Sequence, residues 1–481
     1  MTRHILLPFL LSILLCSVQF VSAQEKWDLR RCVEFALGNN INIKQADVQA
    51  KISALTFDQS KLQQWPTLNF QNSTGTQFGR SIDPATNGFT NDQIYFSQFG
   101  LQTGVTLFNW FSIKNQIAAN ELETKAQVAG VEKLKNDISL NVAAAYLQVL
   151  LSREQVNITK VQINQTTEQL ANTRKLVDAG SLPELNAAEL DAQLARDSNN
   201  YIGAFTTYQT NLLSLKVWMN YDPAQPLDLE TPPVERIPIE SFADSEPDMV
   251  YQLAIKNLPQ QRINQLRLES LLKFQQVAKA GMYPTISAFG NANTSYSSAL
   301  KNLPKGTQVI PVPIGFVTVP ASGTTYNVFQ NVTIPTSFDK ANFLRQLDFQ
   351  FRQSLGVGIN IPIFNNGTAK INWKRSKLSV QNQQLQLEKD NQTLKQDIYN
   401  AYNSALAAYQ RFQSSIKSVQ TAEYSYELTR KRYDAGLLRT IDLITNQNNL
   451  FRARLEKISN QFDFVFRMKV LEFYKGQGIK L

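Results

Sequence analysis

The chain says most of what it says twice, and this duplication limits the possible folds more than any other feature. Thr173-Arg174-Lys175-Leu176-Val177-Asp178-Ala179-Gly180 returns as Thr429-Arg430-Lys431-Arg432-Tyr433-Asp434-Ala435-Gly436, 256 residues later. The same offset pairs Phe108-Asn109 with Phe364-Asn365 and Tyr146 with Tyr402. Upstream the offset is 218, pairing Trp65-Pro66-Thr67-Leu68 with Tyr283-Pro284-Thr285-Ile286. A period this long marks a duplicated structural unit, not a solenoid. The offsets differ by 38 residues, so the second copy carries an insertion between Pro284 and Phe364. The chain therefore divides into two repeats, 24–221 and 248–481, with a proline-rich linker over 222–247.

Within each repeat the hydrophobic period changes. No proline occurs between Phe99 and Leu182 or after Pro362. Leu134, Ile138, Val142, Ala145 and Val149 recur at three- and four-residue spacings, as do Leu394, Ile398, Tyr402, Ala405 and Tyr409. This is helical periodicity. It predicts helices over Asn109–Ala179 and Asn365–Ala435, each 71 residues. At roughly 1.5 Å per residue such a helix measures about 105 Å, which coiled-coil-like packing can bury and a globular core cannot. Shorter helices are expected over Asp28–Gln64, Glu184–Tyr221, Asp248–Met282 and Thr440–Lys475. Two of these stacked end to end match one long helix, which suggests a tall bundle. The turns at 178–184 and 434–440 form helical tips, with Gly180 and Gly436 as C-terminal caps. Plain capping and an exposed docking surface that includes Ser181, Leu182, Leu437 and Leu438 are both open readings of the tips.

Between the helices the period drops to two. Leu355, Val357, Ile359, Ile361 and Ile363 alternate with Ser354, Gly356, Gly358 and Asn360, and Leu101, Val105 and Leu107 alternate with Gln102, Gly104 and Thr106. Hairpins are expected at about 66–108 and 284–364, with loops at about 72–94 and 291–347. An apolar face backed by a small or polar one fits a soluble sheet or an outer-membrane barrel with lipid outside and lumen inside. Nine tilted residues from Leu355 to Ile363 come close to the ~25 Å apolar band of such barrels. Trp65, Phe108, Trp110, Phe111, Tyr283 and Phe364 sit at the strand ends, as interfacial girdles or as junction core. Four strands cannot close a barrel, and open edges are not tolerated in lipid, so a barrel requires several copies.

The first 23 residues read as a secretory signal, with an apolar run after Arg3 and His4 and a Val21-Ser22-Ala23 cleavage site. Its removal leaves Cys32 as the one cysteine and no histidine. That excludes an intrachain disulfide, an imidazole base and a histidine metal site. The remaining net charge is +8, spread along the chain rather than gathered into a nucleic-acid patch. Gly356-Val357-Gly358 lies inside a strand and opens no helix, so it is not a nucleotide loop. The reading is a non-enzyme without catalytic residues, metal or other cofactor. A coiled-coil tether spanning the periplasm without a channel stays open as an alternative.

With these features in place, the sequence resembles the TolC-like outer-membrane efflux protein family. The likeness rests on the paired repeats, the strand–Phe–Asn–helix junctions and Ala435-Gly436-Leu437-Leu438-Arg439-Thr440-Ile441-Asp442-Leu443. The resemblance implies a mainly α chain with a small antiparallel β part. It also implies a homotrimer with a shared 12-stranded β-barrel in outer-membrane lipid and a long periplasmic α-barrel. The implied role is the exit duct of a tripartite efflux or type I secretion system, joined by a periplasmic adaptor to an inner-membrane transporter. Asp442 matches an aspartate of the ring narrowing the periplasmic entrance, and Tyr433 a tyrosine of the gate network. The second ring aspartate falls on Thr445, the gate arginine on Leu438 with Arg439 beside it, and the first-copy aspartate on Asn186. Three Asp442 carboxylates around one axis would attract cations; the plainer role is to favour the first turn of a helix.

Overall fold

The structure, a computed structural model, describes residues 26–82, 88–91, 93–230, 237–238 and 240–476. The expected signal segment lies outside these residues. The first repeat opens with α1 (Leu29–Asn39) and α2 (Ile41–Leu62), followed by β1 (Thr67–Gln77), the short β2 (Ser81–Ile82) and β3 (Phe89–Thr90), and β4 (Ile94–Phe108). It closes with α3 (Ser112–Asp178) and α4 (Glu184–Met219). The second repeat runs α5 (Pro247–Asn257), α6 (Pro259–Ala280), β5 (Thr285–Ser297), β6 (Asn302–Thr318), β7 (Thr325–Lys340), α7 (Phe343–Phe349), β8 (Arg352–Asn360), α8 (Thr368–Asp434) and α9 (Thr440–Tyr474). Both long helices are unbroken over 67 residues. No helix among the described residues is long and apolar enough to cross a membrane.

Three expectations need correction. The stretches 28–64 and 248–282 are each two helices, of 11 and 22 residues, and not one. In the first, Asn40 takes an extended conformation (ψ 126°), and its amide nitrogen donates to Trp218 O at 3.0 Å. In the second, Pro259 pushes Leu258 out of the α region (ψ 130°). Strand β8 stops at Asn360, so Ile361 and Ile363 lie beyond it, exposed but unpaired in the sheet. Pro362 has no N–H for a ladder, which accounts for the early end. The segment 291–347 is not a loop: β5 continues to Ser297, and the insertion folds into the β6–β7 hairpin with α7 behind it. Both strands of a two-stranded ribbon are edge strands, where its prolines are tolerated.

The chain forms two compact units, each drawing on both repeats. Among the described residues the helical unit comprises 26–55, 121–270 and 380–476. Its main core joins Cys32 and Ala36 of α1, Val142 and Val149 of α3, Leu215 and Met219 of α4, and Val465 of α9. Parts of the linker are stitched to this core. Trp27 exchanges backbone hydrogen bonds with Asp228 and Glu230, and the Tyr146 hydroxyl donates to Glu230 O at 2.6 Å. In the second repeat Phe242 sits among the rings of Tyr402, Tyr409 and Phe464. A buried Lys469–Glu472 ion pair (2.8 Å) and Lys475, paired with Glu240, fasten the same region.

The sheet unit comprises Thr56–Asn120 and Leu271–Ser379. Its four-stranded antiparallel sheet has the order β1-β4-β5-β8, with the β6–β7 ribbon as a separate sheet. Among the described residues β1 and β8 each lack a neighbour on their outer side.

Burial pushes the Cys32 thiol up to about 12, so it stays neutral and enclosed at ordinary pH. Cys32 is expected to resist maleimide at pH 8 in the folded protein and to react fully after denaturation. Rapid labelling of the native protein would contradict the packing described.

Candidate functional site

Two parts of the molecule bear on function: the helical tips and the outer face of the sheet. Both tips close with the same backbone geometry. At the first, Gly180 (φ 71°) donates to Val177 O and Ser181 N to Leu176 O. At the second, Gly436 (φ 74°) donates to Tyr433 O and Leu437 N to Arg432 O. These are Schellman caps, in which glycine takes the left-handed conformation at no Cβ cost. Gly180, Ser181, Gly436 and Leu437 are exposed; Leu182 and Leu438 are half-buried.

After each tip the chain re-enters a helix. Pro183 precedes α4 and Arg439 precedes α9, neither with a side-chain cap. Asp442 lies in the first turn of α9, where a carboxylate favours the helix dipole. It faces Arg439 at 3.3 Å (Nε to Oδ2), an exposed pair that contributes little stability by itself. Thr445 bonds back to Ile441 O at 2.7 Å, and Asn186 is half-buried. Tyr433 lies between two hydroxyls, Thr440 Oγ1 at 3.2 Å and Thr173 Oγ1 at 3.4 Å. Two turns earlier on α8, the buried Tyr426 hydroxyl accepts from Gln169 Nε2 at 2.9 Å. Burial raises the Tyr426 pKa, which keeps the phenol neutral. Tyr426 and Tyr433 thus link α8 to α3 near the tips.

Above this pair lies a polar layer that sequence reasoning missed. Thr166 Oγ1 donates to Asp197 Oδ2 at 2.7 Å, and Gln193 Nε2 donates to Asp197 Oδ1 at 2.7 Å. Gln193 also exchanges hydrogen bonds with Asn448, and Gln447 Nε2 reaches Thr166 at 3.2 Å. Thr166, Gln193, Asp197 and Gln447 are all buried. The layer joins α3, α4 and α9 through directional contacts where apolar packing would be usual. One signal was available: Asp197 continues the Leu190, Leu194 series at core spacing.

On the sheet, register gathers the alternating residues onto one face. Phe70 pairs with Leu101, Leu101 with Ala292, Val105 with Ala288, Ala288 with Val357, and Ile286 with Ile359. Directly paired residues share a face, so Leu68, Phe70, Leu101, Val105, Val357 and Ile359 form one apolar surface. Leu355 is 89% exposed, Val357 64% and Ile359 65%, so no helix of the chain covers them. Leu107 falls at a bulge between Thr106 and Phe108 and stays exposed. The opposite face carries Gln71, Gln98, Gln102, Asn291, Ser287, Gly356 and Gly358. Phe289 is its large exception. A Cβ at Gly356 would come within 2.6 Å of that ring, so glycine there makes room for it.

Where strand turns into long helix, both repeats place two successive residues in the left-handed region. In the second repeat these are Asn366 (φ 54°) and Gly367 (φ 74°), which suit it. In the first they are Trp110 (φ 53°) and Phe111 (φ 59°), which do not. Ring contacts with Phe108 and Tyr283, as close as 4.7 Å for Trp110–Tyr283, hold the strained pair.

The geometry of duplicated helical hairpins and an outward apolar sheet is matched among known proteins. The outer membrane efflux protein family matches residues 33–220 and 349–463, more than half of the chain. The chain belongs to this family. It is 21% identical over 438 residues to the toxin and drug export protein A of Aggregatibacter actinomycetemcomitans, covering 91% of this chain and 83% of that one. Among solved structures, it is similar to the outer membrane protein VceC of Vibrio cholerae, with a TM-score of 0.71 at 14% identity over 94% of this chain and 97% of that one. The Campylobacter jejuni CmeC outer membrane channel gives a TM-score of 0.70 at 16% identity over 94% and 87%. As a family member the protein resides in the outer membrane. Family and fold are those of channel proteins rather than enzymes.

Phe111→Gly tests the strain at the junction. Releasing one bulky side chain from the left-handed region is worth about 1 kcal/mol, so the detergent-extracted variant should melt at a higher temperature than the parent. An unchanged or lower melting temperature would show that the ring contacts outweigh the strain.

Proposed function

We propose that three copies of the chain pool their four strands into a 12-stranded outer-membrane barrel, with the long helices forming a periplasmic duct beneath it. The duct is a passive exit for substrates delivered by an inner-membrane pump through a periplasmic adaptor, as in tripartite efflux or type I secretion. One observation carries this reading: a sheet with an exposed apolar face and two bare edges. In lipid each bare edge group is costly, and closing the sheet with sibling strands removes the cost. A tether without a channel has no use for that face.

In this reading the tips are the periplasmic entrance. Three Asp442 side chains, each beside Arg439, ring the opening, and Tyr433 and Thr445 lie on the same helical ends. Only one aspartate per chain stands at the ring, so cation block should be weaker than with two. Gly180, Ser181, Leu182, Gly436, Leu437 and Leu438 form the adaptor-contacting rim. Opening is an iris-like movement of the helical ends, in which the Tyr433 and Tyr426 contacts to α3 are exchanged.

Deleting the gene in frame should raise accumulation of drugs, dyes or metals in cells, and the intact gene should reverse it. Unchanged accumulation of every such compound, and unchanged protein secretion, would count against an export role. Leu355→Arg, near the middle of the apolar face, should cost about 2–4 kcal/mol in lipid and leave the protein out of the outer-membrane fraction. Normal insertion of that variant would refute the lipid-facing assignment. Tyr433→Phe should weaken closure, read as greater sensitivity to large antibiotics with unchanged amounts of protein in the membrane.

A further inference from the structure

The β6–β7 hairpin is the largest element of the sheet unit that an export duct does not require. Its strands pair from Asn302↔Lys340 to Thr318↔Thr325, with one irregularity between Pro313 and Gly315. At about 3.3 Å per residue the 17-residue β6 is roughly 55 Å long. From Gly306 to Phe338 the sequence holds no Asp, Glu, Lys or Arg. Charge is confined to the root, where Asp339 meets Lys305 at 3.4 Å and also pairs with Arg345.

That root is firmly built. Buried Gln346 of α7 donates to Ser297 O at 3.0 Å and Leu300 O at 2.9 Å, and accepts from Ser297 N at 2.9 Å. The hairpin is thereby fixed to the far end of β5, the end opposite its junction with α6.

Register sorts the ribbon into two unlike faces. One carries Ile310, Val312 and Val317 on β6 with Val328, Val332 and Ile334 on β7, interrupted by Gln308 and Gln330. The other mixes Val309, Phe316 and Phe329 with Asn327, Asn331 and Thr333. A lone two-stranded ribbon is marginal in water, and an uncharged apolar face of this length marks an interface.

We propose that this face packs against the same hairpin of neighbouring copies, so that the assembly carries a homotypic β stalk beyond the outer end of its barrel. The inference rests on the trimeric duct proposed above. Three arguments select a sibling hairpin as the occupant. First, any assembly that closes the β1 and β8 edges roots all the hairpins at one rim. Twelve strands ~4.8 Å apart, tilted by about 40°, place three such roots roughly 20 Å from one another, well within a hairpin's length. Second, identical ribbons without charge meet without like-charge repulsion, whereas a surface built for anionic lipid would carry lysine or arginine. Third, Pro311, Pro313 and Pro335 remove N–H groups from both strands. Strand-by-strand addition at the edges is thus disfavoured, and contact is left to the faces.

Single cysteines test this in the full-length protein, because buried Cys32 stays silent. V332C places a thiol on the apolar face and N331C on the other. After mild oxidation of intact cells, V332C should give a disulfide-linked two-chain band on a non-reducing gel, and N331C should not. The mass of the detergent-extracted particle is measured alongside. A trimer in which V332C links no better than N331C overturns the stalk and leaves the duct intact. A trimer whose V332C is shielded from soluble maleimide yet never links assigns the face to lipid, and this also overturns the stalk. A monomeric particle overturns both readings. A variant with an Asn-Gly turn in place of residues 306–338 should still insert as a trimer but dissociate at a lower temperature; an unchanged dissociation temperature opposes the stalk.

Discussion

Unpaired backbone at the edges of a small sheet is the constraint on which the rest depends. β1 and β8 each present a row of N–H and C=O groups without a neighbour in their own chain. Beside them, Phe70, Leu101, Val357 and Ile359 turn an apolar surface outward. Water tolerates the edges but not the face; hydrocarbon tolerates the face but not the edges. Both demands are met only when further strands continue the sheet until it closes. A family defined by outer-membrane channels is where such a compromise belongs.

Duplication builds most of the chain, yet the copies differ at three places. The strand-to-helix junction uses Asn366-Gly367 in one repeat and strained Trp110-Phe111 in the other, so one junction is relaxed and the other carries four rings. At the tips, Arg439 and Asp442 face each other in the second copy, while Pro183 and Asn186 hold the equivalent stretch of the first. The hairpin insertion exists in the second copy alone. Two like repeats thus differ at their tips and at the far end of their strands.

Near the tips directional polar contacts stand beside small apolar clusters, such as Leu170, Ala187, Leu190 and Ile444. The Thr166–Asp197–Gln193–Asn448 layer and the two tyrosine contacts are directional and short-ranged. Such bonds can be exchanged one for another with little net change in free energy, whereas separating an apolar seam forfeits burial over its whole length. The lower helices share smaller apolar clusters than the upper ones. The upper part of the helical unit has the opposite character, with a continuous apolar core around Val142, Leu215 and Val465.

Periodicity made the helices, the strand faces and the glycine caps legible, because each depends on residues within a few positions of one another. The same local rules located Gly180 and Gly436, the Leu355–Ile359 alternation and the position of Asp442 in a first helical turn. They failed where a distant partner decides. Nothing near Asn40 announces that its amide serves Trp218 O, 178 residues away. Nothing local in 302–340 shows that β6 and β7 pair with each other as a separate ribbon of two edge strands. Asp197 stands at core spacing, but its partner Thr166 lies 31 residues off on another helix. What the sequence determined by itself was the type and orientation of each element; which elements meet, and which polar groups they share, belonged to the tertiary structure, since those contacts depend on distances that the local order of residues does not encode.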